Sequence, residues 1–305
     1  MSIINVIGKT PVVEIERIWD SKETGVQILA KLEGANPGGS IKDRPAYYML
    51  KEGMERGALT EGKVILEPTS GNTGIGMAMI ASAMGFRIKL IMPACVSVER
   101  RSILIALGAE LELTPGCDKT DGAIKRAKSI METQGDLFFM PDQFSNPANW
   151  KAHYETTGPE IIADTDGRVD AIVAGMGTTG TLMGISRYIR DNNFGVDVVG
   201  IEPSVNHRVQ GLKNMEEAIV PKIYDPSLLD RKITCSDSDA FNTVRDLAIR
   251  EGLFCGISSG AALWGAMEIA REMPRGSTVM ALLPDRGDRY LSTEVFRSVC
   301  AECPP

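Results

Sequence analysis

Apolar and polar positions follow two rhythms along this chain. Short, nearly unbroken apolar runs occur at 26–32, 63–67, 87–92, 110–113, 169–174, 196–201 and 278–283. Between them lie longer stretches whose apolar residues recur every three or four positions, at 43–56, 73–84, 97–107, 119–133, 181–191, 238–251 and 260–272. The first pattern predicts buried strands and the second amphipathic helices. Strand–helix alternation at this spacing predicts an α/β protein whose parallel sheets are covered by helices. No internal repeat, low-complexity tract or linker interrupts the pattern, so two domains that share chain crossings are expected.

The candidate chemistry sits at three junctions between these elements. The loop Pro68-Thr69-Ser70-Gly71-Asn72-Thr73-Gly74 joins the apolar run Val64-Ile65-Leu66 to a helical stretch beginning near Gly76. A helix N-terminus presents unpaired N–H groups and partial positive charge. Thr69, Ser70 and Thr73 add hydroxyl donors, and Asn72 adds an amide. A small carboxylate or phosphate suits such a turn. An ordinary capped turn needs one such residue, not four beside two glycines.

Upstream, Asn36-Pro37-Gly38-Gly39-Ser40-Ile41-Lys42-Asp43-Arg44 runs into another helix, with Lys42 at the junction. A cation there opposes the helix dipole. Either Lys42 is a solvated surface lysine, or it is an amine held for Schiff-base chemistry with a depressed pKa.

The third junction, Gly175-Met176-Gly177-Thr178-Thr179-Gly180-Thr181, fits G-x-G-x-x-G, and Glu202 closes the next apolar run. Alone, that is the dinucleotide fingerprint. The threonines, however, supply hydroxyls that a phosphate monoester would use, and a nicotinamide site leaves Lys42 and the 68–74 loop without a task. A lysine, an anion loop and a glycine–threonine phosphate cup together point to pyridoxal 5'-phosphate.

At this point the chain resembles the fold-type II pyridoxal phosphate enzymes, and within them the cysteine synthases. The resemblance is carried by Ile7-Gly8-Lys9-Thr10-Pro11-Val12-Val13, the lysine segment at 36–44, T-S-G-N-T-G at 69–74 and G-T-T-G-T at 177–181. Gly256-Ile257-Ser258-Ser259-Gly260-Ala261 and the segment from Asp285 to Thr293 extend it, so that it runs from about residue 4 to residue 298.

The resemblance implies a tryptophan synthase β-like architecture with the cofactor in the cleft between two domains. The smaller would span 36–146 with 1–12, and the larger 147–305 with 13–35. It further implies that Lys42 forms the Schiff base and acts as base and acid at the substrate α-carbon. Asn72 would meet the cofactor ring hydroxyl. Gly177, Thr178, Thr179, Gly180 and Thr181 would hold the phosphate, and Ser258 would face the pyridine nitrogen. Thr69, Ser70, Thr73 and Gln143 would bind the substrate carboxylate. Taken alone, Ser258 fits equally well as the cap of a helix beginning near Gly260.

The implied reaction is β-replacement: an activated serine loses its β-substituent to give an aminoacrylate, and a sulfur nucleophile adds to yield L-cysteine. The form G-T-T-G-T-L-M-G and the segment Gly211-Leu212-Lys213-Asn214-Met215-Glu216-Glu217 resemble B-type and M-type cysteine synthases, which leaves O-acetylserine and O-phosphoserine both open as substrate. Lys213 would meet a phosphate leaving group, or else it is a solvated loop lysine. The family implies a homodimer, with serine acetyltransferase or a sulfur-carrier protein as possible partners. Three alternatives stand beside this reading. One is a cystathionine β-synthase using homocysteine, another a nicotinamide-dependent oxidoreductase, and the last a binding protein that kept the fold. Intact Lys42, Asn72 and Ser258 speak against the last.

Composition narrows the context. The 305 residues carry 43% hydrophobic and 24% charged residues, as soluble globular chains do. The net charge of −7 without a basic run argues against nucleic acid as a partner. No apolar run reaches the length of a membrane span, and the first residues lack the pattern of an export signal, so a cytoplasmic enzyme is expected. Six cysteines show no framework spacing and are expected to be reduced. Cys300 and Cys303 form a lone C-x-x-C; zinc would need a second ligand pair, and with His153 and His207 the only histidines none lies near in sequence, so no metal site is expected.

Overall fold

The structure, a computed structural model, describes residues 2–69 and 71–296. Its ten strands fall into two sheets. Strands β1 (Val12–Glu14), β2 (Gln27–Leu32), β7 (Ala171–Gly175), β8 (Asp197–Pro203), β9 (Arg231–Cys235) and β10 (Thr278–Leu283) form the larger, in the order β1-β2-β10-β7-β8-β9. All its pairings are parallel except β1 with β2. Strands β3 (Val64–Pro68), β4 (Arg87–Pro93), β5 (Glu110–Thr114) and β6 (Phe138–Phe139) form a fully parallel sheet in the order β5-β4-β3-β6.

The helices are α1 (Ser21–Thr24), α2 (Asp43–Glu55), α3 (Asn72–Met84), α4 (Val98–Ala106), α5 (Lys119–Gln134), α6 (Ala148–Ala152), α7 (Gly158–Asp164), α8 (Gly180–Asp191), α9 (Asp237–Arg250) and α10 (Ile257–Glu272). Every predicted strand and helix is present, within three residues at each end. Strands β1, β6 and β9 and the helices α1, α6 and α7 are additional.

Each sheet is covered on both faces, which is why its strands read as unbroken apolar runs. In the larger sheet Val173, Ile201 and Ala281 point into one core with α10, while their neighbours Ile172, Val198 and Met280 point into another with α8. The smaller sheet divides likewise, Ile65 and Leu90 facing α3 while Leu66 and Ile91 face α5.

One junction positions the chemistry. Just beyond the carboxyl end of β10, Ile41 N–H donates to the Pro284 carbonyl at 2.8 Å, and Ser40 bridges to Asp285. The loop carrying Lys42 is thereby fastened to the larger sheet while α2, which follows it, packs on α3 beside the smaller one.

Candidate active site

A cavity of about 460 Å³ opens at the carboxyl ends of strands from both sheets, touching Pro93, Gly175 and Pro284. That is where open α/β sheets bind ligands.

Lys42 reaches this cavity as the N-cap residue of α2, with its backbone N–H on Ser40 Oγ at 3.2 Å. Burial pulls its amine down to about 8, against a smaller opposing pull from Asp285. The helix that Lys42 caps is anchored by ion pairs. Arg44 meets Glu33 through two bonds of 2.8 Å and Glu160 at 2.6 and 2.7 Å, and Lys31 reaches Glu160 at 3.1 Å and Asp164 at 2.8 Å. A planar guanidinium is suited to such a two-carboxylate fork. Although burial opposes it, Arg44 holds Glu160 down to about 2.

The start of α3 faces Lys42. Thr69, Asn72 and Thr73 line the cavity. Thr69 Oγ1 accepts from Gly71 N–H at 3.1 Å, which closes the turn. Thr73 donates to Gln143 Oε1 at 2.6 Å, and Gln143 also lines the cavity. Asn72 is held on both sides, donating to Asp285 at 2.6 Å and accepting from Arg289 at 2.7 Å. Ser70 lies outside the described residues, as do Cys300 and Cys303.

The turn from β7 into α8 divides its residues. Gly177, Thr178 and Thr181 line the cavity, whereas Thr179 and Gly180 do not. Thr179 occupies the left-handed region at φ 66°, and its buried hydroxyl donates to the Thr178 carbonyl at 2.6 Å. This geometry leaves Thr179 and Gly180 only their backbone to offer. Free N–H groups are what the first turn of a helix supplies to an anion. Thr178 Oγ1 accepts from Asn149 Nδ2 at 3.2 Å, and Thr181 Oγ1 lies 3.3 Å from His153 Nε2. Burial keeps His153 neutral by pushing its pKa well below the usual value.

Ser258 lies in the first turn of α10 and lines the cavity; Gly256, not Ser258, is the capping position, so the capping explanation falls away. Lys213 also lines the cavity. Its amine is 3.5 Å from Asp121 Oδ1 and 5.1 Å from the centre of the Phe144 ring, and burial lowers its pKa.

Sequence reasoning overlooked several groups here. Asn149 and His153 hold the hydroxyls of Thr178 and Thr181, from a stretch without a clear helical rhythm. Asp285 and Arg289 grip Asn72 from a segment whose resemblance was noted without a role for either. Glu202, the acidic residue that a dinucleotide site would use, is buried and occupied: it pairs with Lys232 at 2.8 Å and accepts Met215 N–H at 2.8 Å. Among the described residues no cluster of three metal-ligating side chains occurs, and none of the helices is long and apolar enough to cross a membrane.

A buried amine of depressed basicity, a helix start lined with threonine hydroxyls and a neutral serine hydroxyl form a donor set that fits pyridoxal phosphate. Residues 3–285 match the family model described as pyridoxal-phosphate dependent enzyme. The chain belongs to this family, with the fold-type II architecture of two parallel α/β sheets around a cleft, and pyridoxal phosphate is its cofactor.

Within the family it is 46% identical over 291 residues to cysteine synthase B of Salmonella typhimurium, covering 95% of this chain and 94% of the relative. It is 42% identical over 300 residues to cysteine synthase of Aquifex aeolicus, covering 97% and 92%. Among solved structures it superposes on an O-ureido-L-serine synthase with a TM-score of 0.91 at 41% identity, covering 98% of this chain and 95% of that one.

Proposed function

We propose that this protein is a cysteine synthase, which replaces the β-substituent of an activated serine by a sulfur nucleophile to form L-cysteine. The observation that carries the reading is the Lys42 amine, lowered to about 8 and set in one cavity with the Thr73–Gln143 pair and with Thr178 and Thr181. The curated relatives add support, since both are cysteine synthases over nearly the whole chain.

Pyridoxal phosphate, when bound, supplies an electron sink for the substrate's α-carbon. The side chains around it do the rest. Thr178 and Thr181, with the free N–H groups of α8, hold the phosphate, Gly177 leaves room for it, and Thr179 and Gly180 contribute backbone alone. Ser258 offers the ring nitrogen a neutral hydroxyl, and Asn72 offers the ring hydroxyl an amide. Thr69, Ser70, Thr73 and Gln143 take the substrate carboxylate. Lys42, whose amine burial makes less basic than an ordinary lysine, removes the α-proton and returns one once the nucleophile has added.

The two sheets support a division into a smaller domain, 36–146 with 1–12, and a larger one, 147–305 with 13–35. On this division Thr73 and Gln143 belong to the smaller domain and Ser258 to the larger, while the Lys42 loop stays tied to the end of β10, so that a closing motion would bring the carboxylate ligands toward the cofactor ring and Lys42. For the leaving group, Lys213 is a cation on the cavity wall that an outgoing phosphate could meet.

The test is a product assay on the purified holoenzyme. O-acetylserine and O-phosphoserine are each supplied with sulfide, thiosulfate or homocysteine, and the amino-acid products are separated. L-cysteine from sulfide is the expected result. Cystathionine formed faster than cysteine would replace this reading by the homocysteine-using alternative, and no β-replacement with any pair would overturn both.

A further inference from the structure

Glu67 is a carboxylate without a cation. It is the penultimate residue of β3, fully buried, and no salt bridge to it occurs among the described residues. Unpaired carboxyl groups are rarely buried completely, so this one calls for a cause. Burial pushes its pKa up and the Asp142 charge adds to this, while the N–H bonds from Gln143 and Asp142 pull it back toward the carboxylate form that accepts them both.

The two oxygens of Glu67 have separate partners. Oε2 accepts the N–H of Asp142 at 3.0 Å, and Oε1 accepts the N–H of Gln143 at 3.1 Å. Asp142 sits at φ 54°, a left-handed conformation that Asp tolerates better than most L residues and that turns the chain sharply there. The turn therefore delivers two successive N–H groups to one side, and the bidentate carboxylate holds them there. The next residue of β3 contributes a third fastening, because the Pro68 carbonyl accepts from Gln143 Nε2 at 3.1 Å. With its amide nitrogen tied down, Gln143 has only Oε1 to turn toward Thr73, which it meets at 2.6 Å.

We propose that Glu67 is the positioning residue for substrate-carboxylate binding: it holds the 142–143 backbone so that the Gln143 side chain stands beside Thr73 at the cavity. The inference rests on the reading of Gln143 as a carboxylate ligand. It explains why the position carries a carboxyl group. Two adjacent donors need two acceptors, and a glutamine would turn its NH₂ against one of the N–H groups. It also explains the spatial order, for Glu67, Pro68, Thr69 and Thr73 come from one strand–turn–helix segment, so fastening the distant 142–143 turn to it makes the two halves of the carboxylate site one rigid piece.

The experiment is steady-state kinetics on the holoenzymes of Glu67→Gln, Gln143→Ala and the double variant, with cofactor content checked by visible absorbance. The expected result is that each single change raises KM for the amino-acid substrate about tenfold with kcat little altered, and that the double variant is no worse than Gln143→Ala. A purely stabilising Glu67 would instead lower the melting temperature while leaving KM alone. KM within about twofold of wild type in Glu67→Gln, while Gln143→Ala raises it, overturns the inference and leaves the functional reading intact. So does a double variant whose losses multiply to about a hundredfold. An unchanged KM in Gln143→Ala overturns the role of Gln143 and the inference with it. Should Glu67→Gln not fold, Glu67→Asp keeps both acceptors but draws them back by one methylene. A smaller, equally non-additive rise in KM is then expected, and no rise overturns the inference.

Discussion

Asn72 and Asp285 meet across the cleft, the amide nitrogen donating to Oδ2 at 2.6 Å. The same oxygen accepts the buried Tyr290 hydroxyl at 2.6 Å, so one carboxylate ties the start of α3 to the segment that follows β10. Arg289 completes the grip from the other side of Asn72 and also reaches the Gly38 carbonyl, four residues before Lys42.

Removing that carboxylate strands two donors. A buried group left without a partner costs roughly 1–3 kcal/mol, and the half-buried Asn72 amide costs less than the Tyr290 hydroxyl, so Asp285→Ala is expected to lose about 2–4 kcal/mol of stability. Asp285→Asn retains an acceptor oxygen and should recover more than half of the loss. Denaturant unfolding of the three proteins measures this directly. A loss below about 0.5 kcal/mol in Asp285→Ala would mean that the tie has no energetic weight.

Strands and helices buried on two faces or carrying a full apolar stripe were legible in the sequence, because their burial writes the period. What escaped lacks such a stripe. β9, Arg-Lys-Ile-Thr-Cys, is an edge strand with mostly open side chains, and β6 is two residues long. The region 148–164 contains Gly158 and Pro159, which read as breakers. In the structure a widened helical turn at 153–157 ends there, and Pro159 falls in the first turn of α7, where its missing N–H costs nothing. At the site, Lys42, Asn72, Thr178 and Ser258 were legible because each stands at the start of a helix. Asp285, Asn149 and Glu67 were not, because a carboxylate or amide shows its partners only when the chain is folded.

Lys42 should titrate where the structure puts it. Its folded pKa of about 8 lies below the ordinary lysine value of 10.5. In cofactor-free protein the folded state therefore binds fewer protons than the unfolded state between those values, and this group's contribution to stability rises with pH across that window. Only the neutral amine attacks an aldehyde. Reloading with pyridoxal phosphate should accelerate up to about pH 8 and then level off, where an ordinary lysine would still be gaining rate. Asp285→Asn removes the charge that supports the ammonium form, so the inflection should move to lower pH. Lys42→Ala should lower kcat by about a thousandfold.

Helix α8, which follows the turn of Thr178 and Thr179, is packed too closely for any side chain at one position. A Cβ on Gly184 would strike the Trp150 carbonyl oxygen and stand 2.7 Å from His153 Cβ. Gly184→Ala is thus expected to cost about 1–3 kcal/mol and to push His153 away from Thr181. Gly195, at the far end of the same segment, has no atom within 4 Å of the same position. Gly195→Ala should stay within about 0.5 kcal/mol of wild type. Chemical denaturation of both gives the comparison, and equal effects would show that α8 has room to shift.

Lys213 offers the sharpest division between substrates. Its amine is held 3.5 Å from Asp121, too far for a strong pair, and stands over the Phe144 ring at 5.1 Å. A phosphate leaving group carries more charge than an acetate and gains more from a nearby cation as the bond breaks. A lysine presents that cation as a point charge, without the two-pronged fit of an arginine. Lys213→Ala should therefore lower kcat/KM for O-phosphoserine by about tenfold and for O-acetylserine by less than about threefold. Asp121→Asn releases the amine from its competitor and should favour O-phosphoserine. Parallel kinetics with the two substrates decide the matter: equal losses in Lys213→Ala would assign the residue to loop packing, and the acceptor choice would then have to be sought among the other residues of the cavity wall.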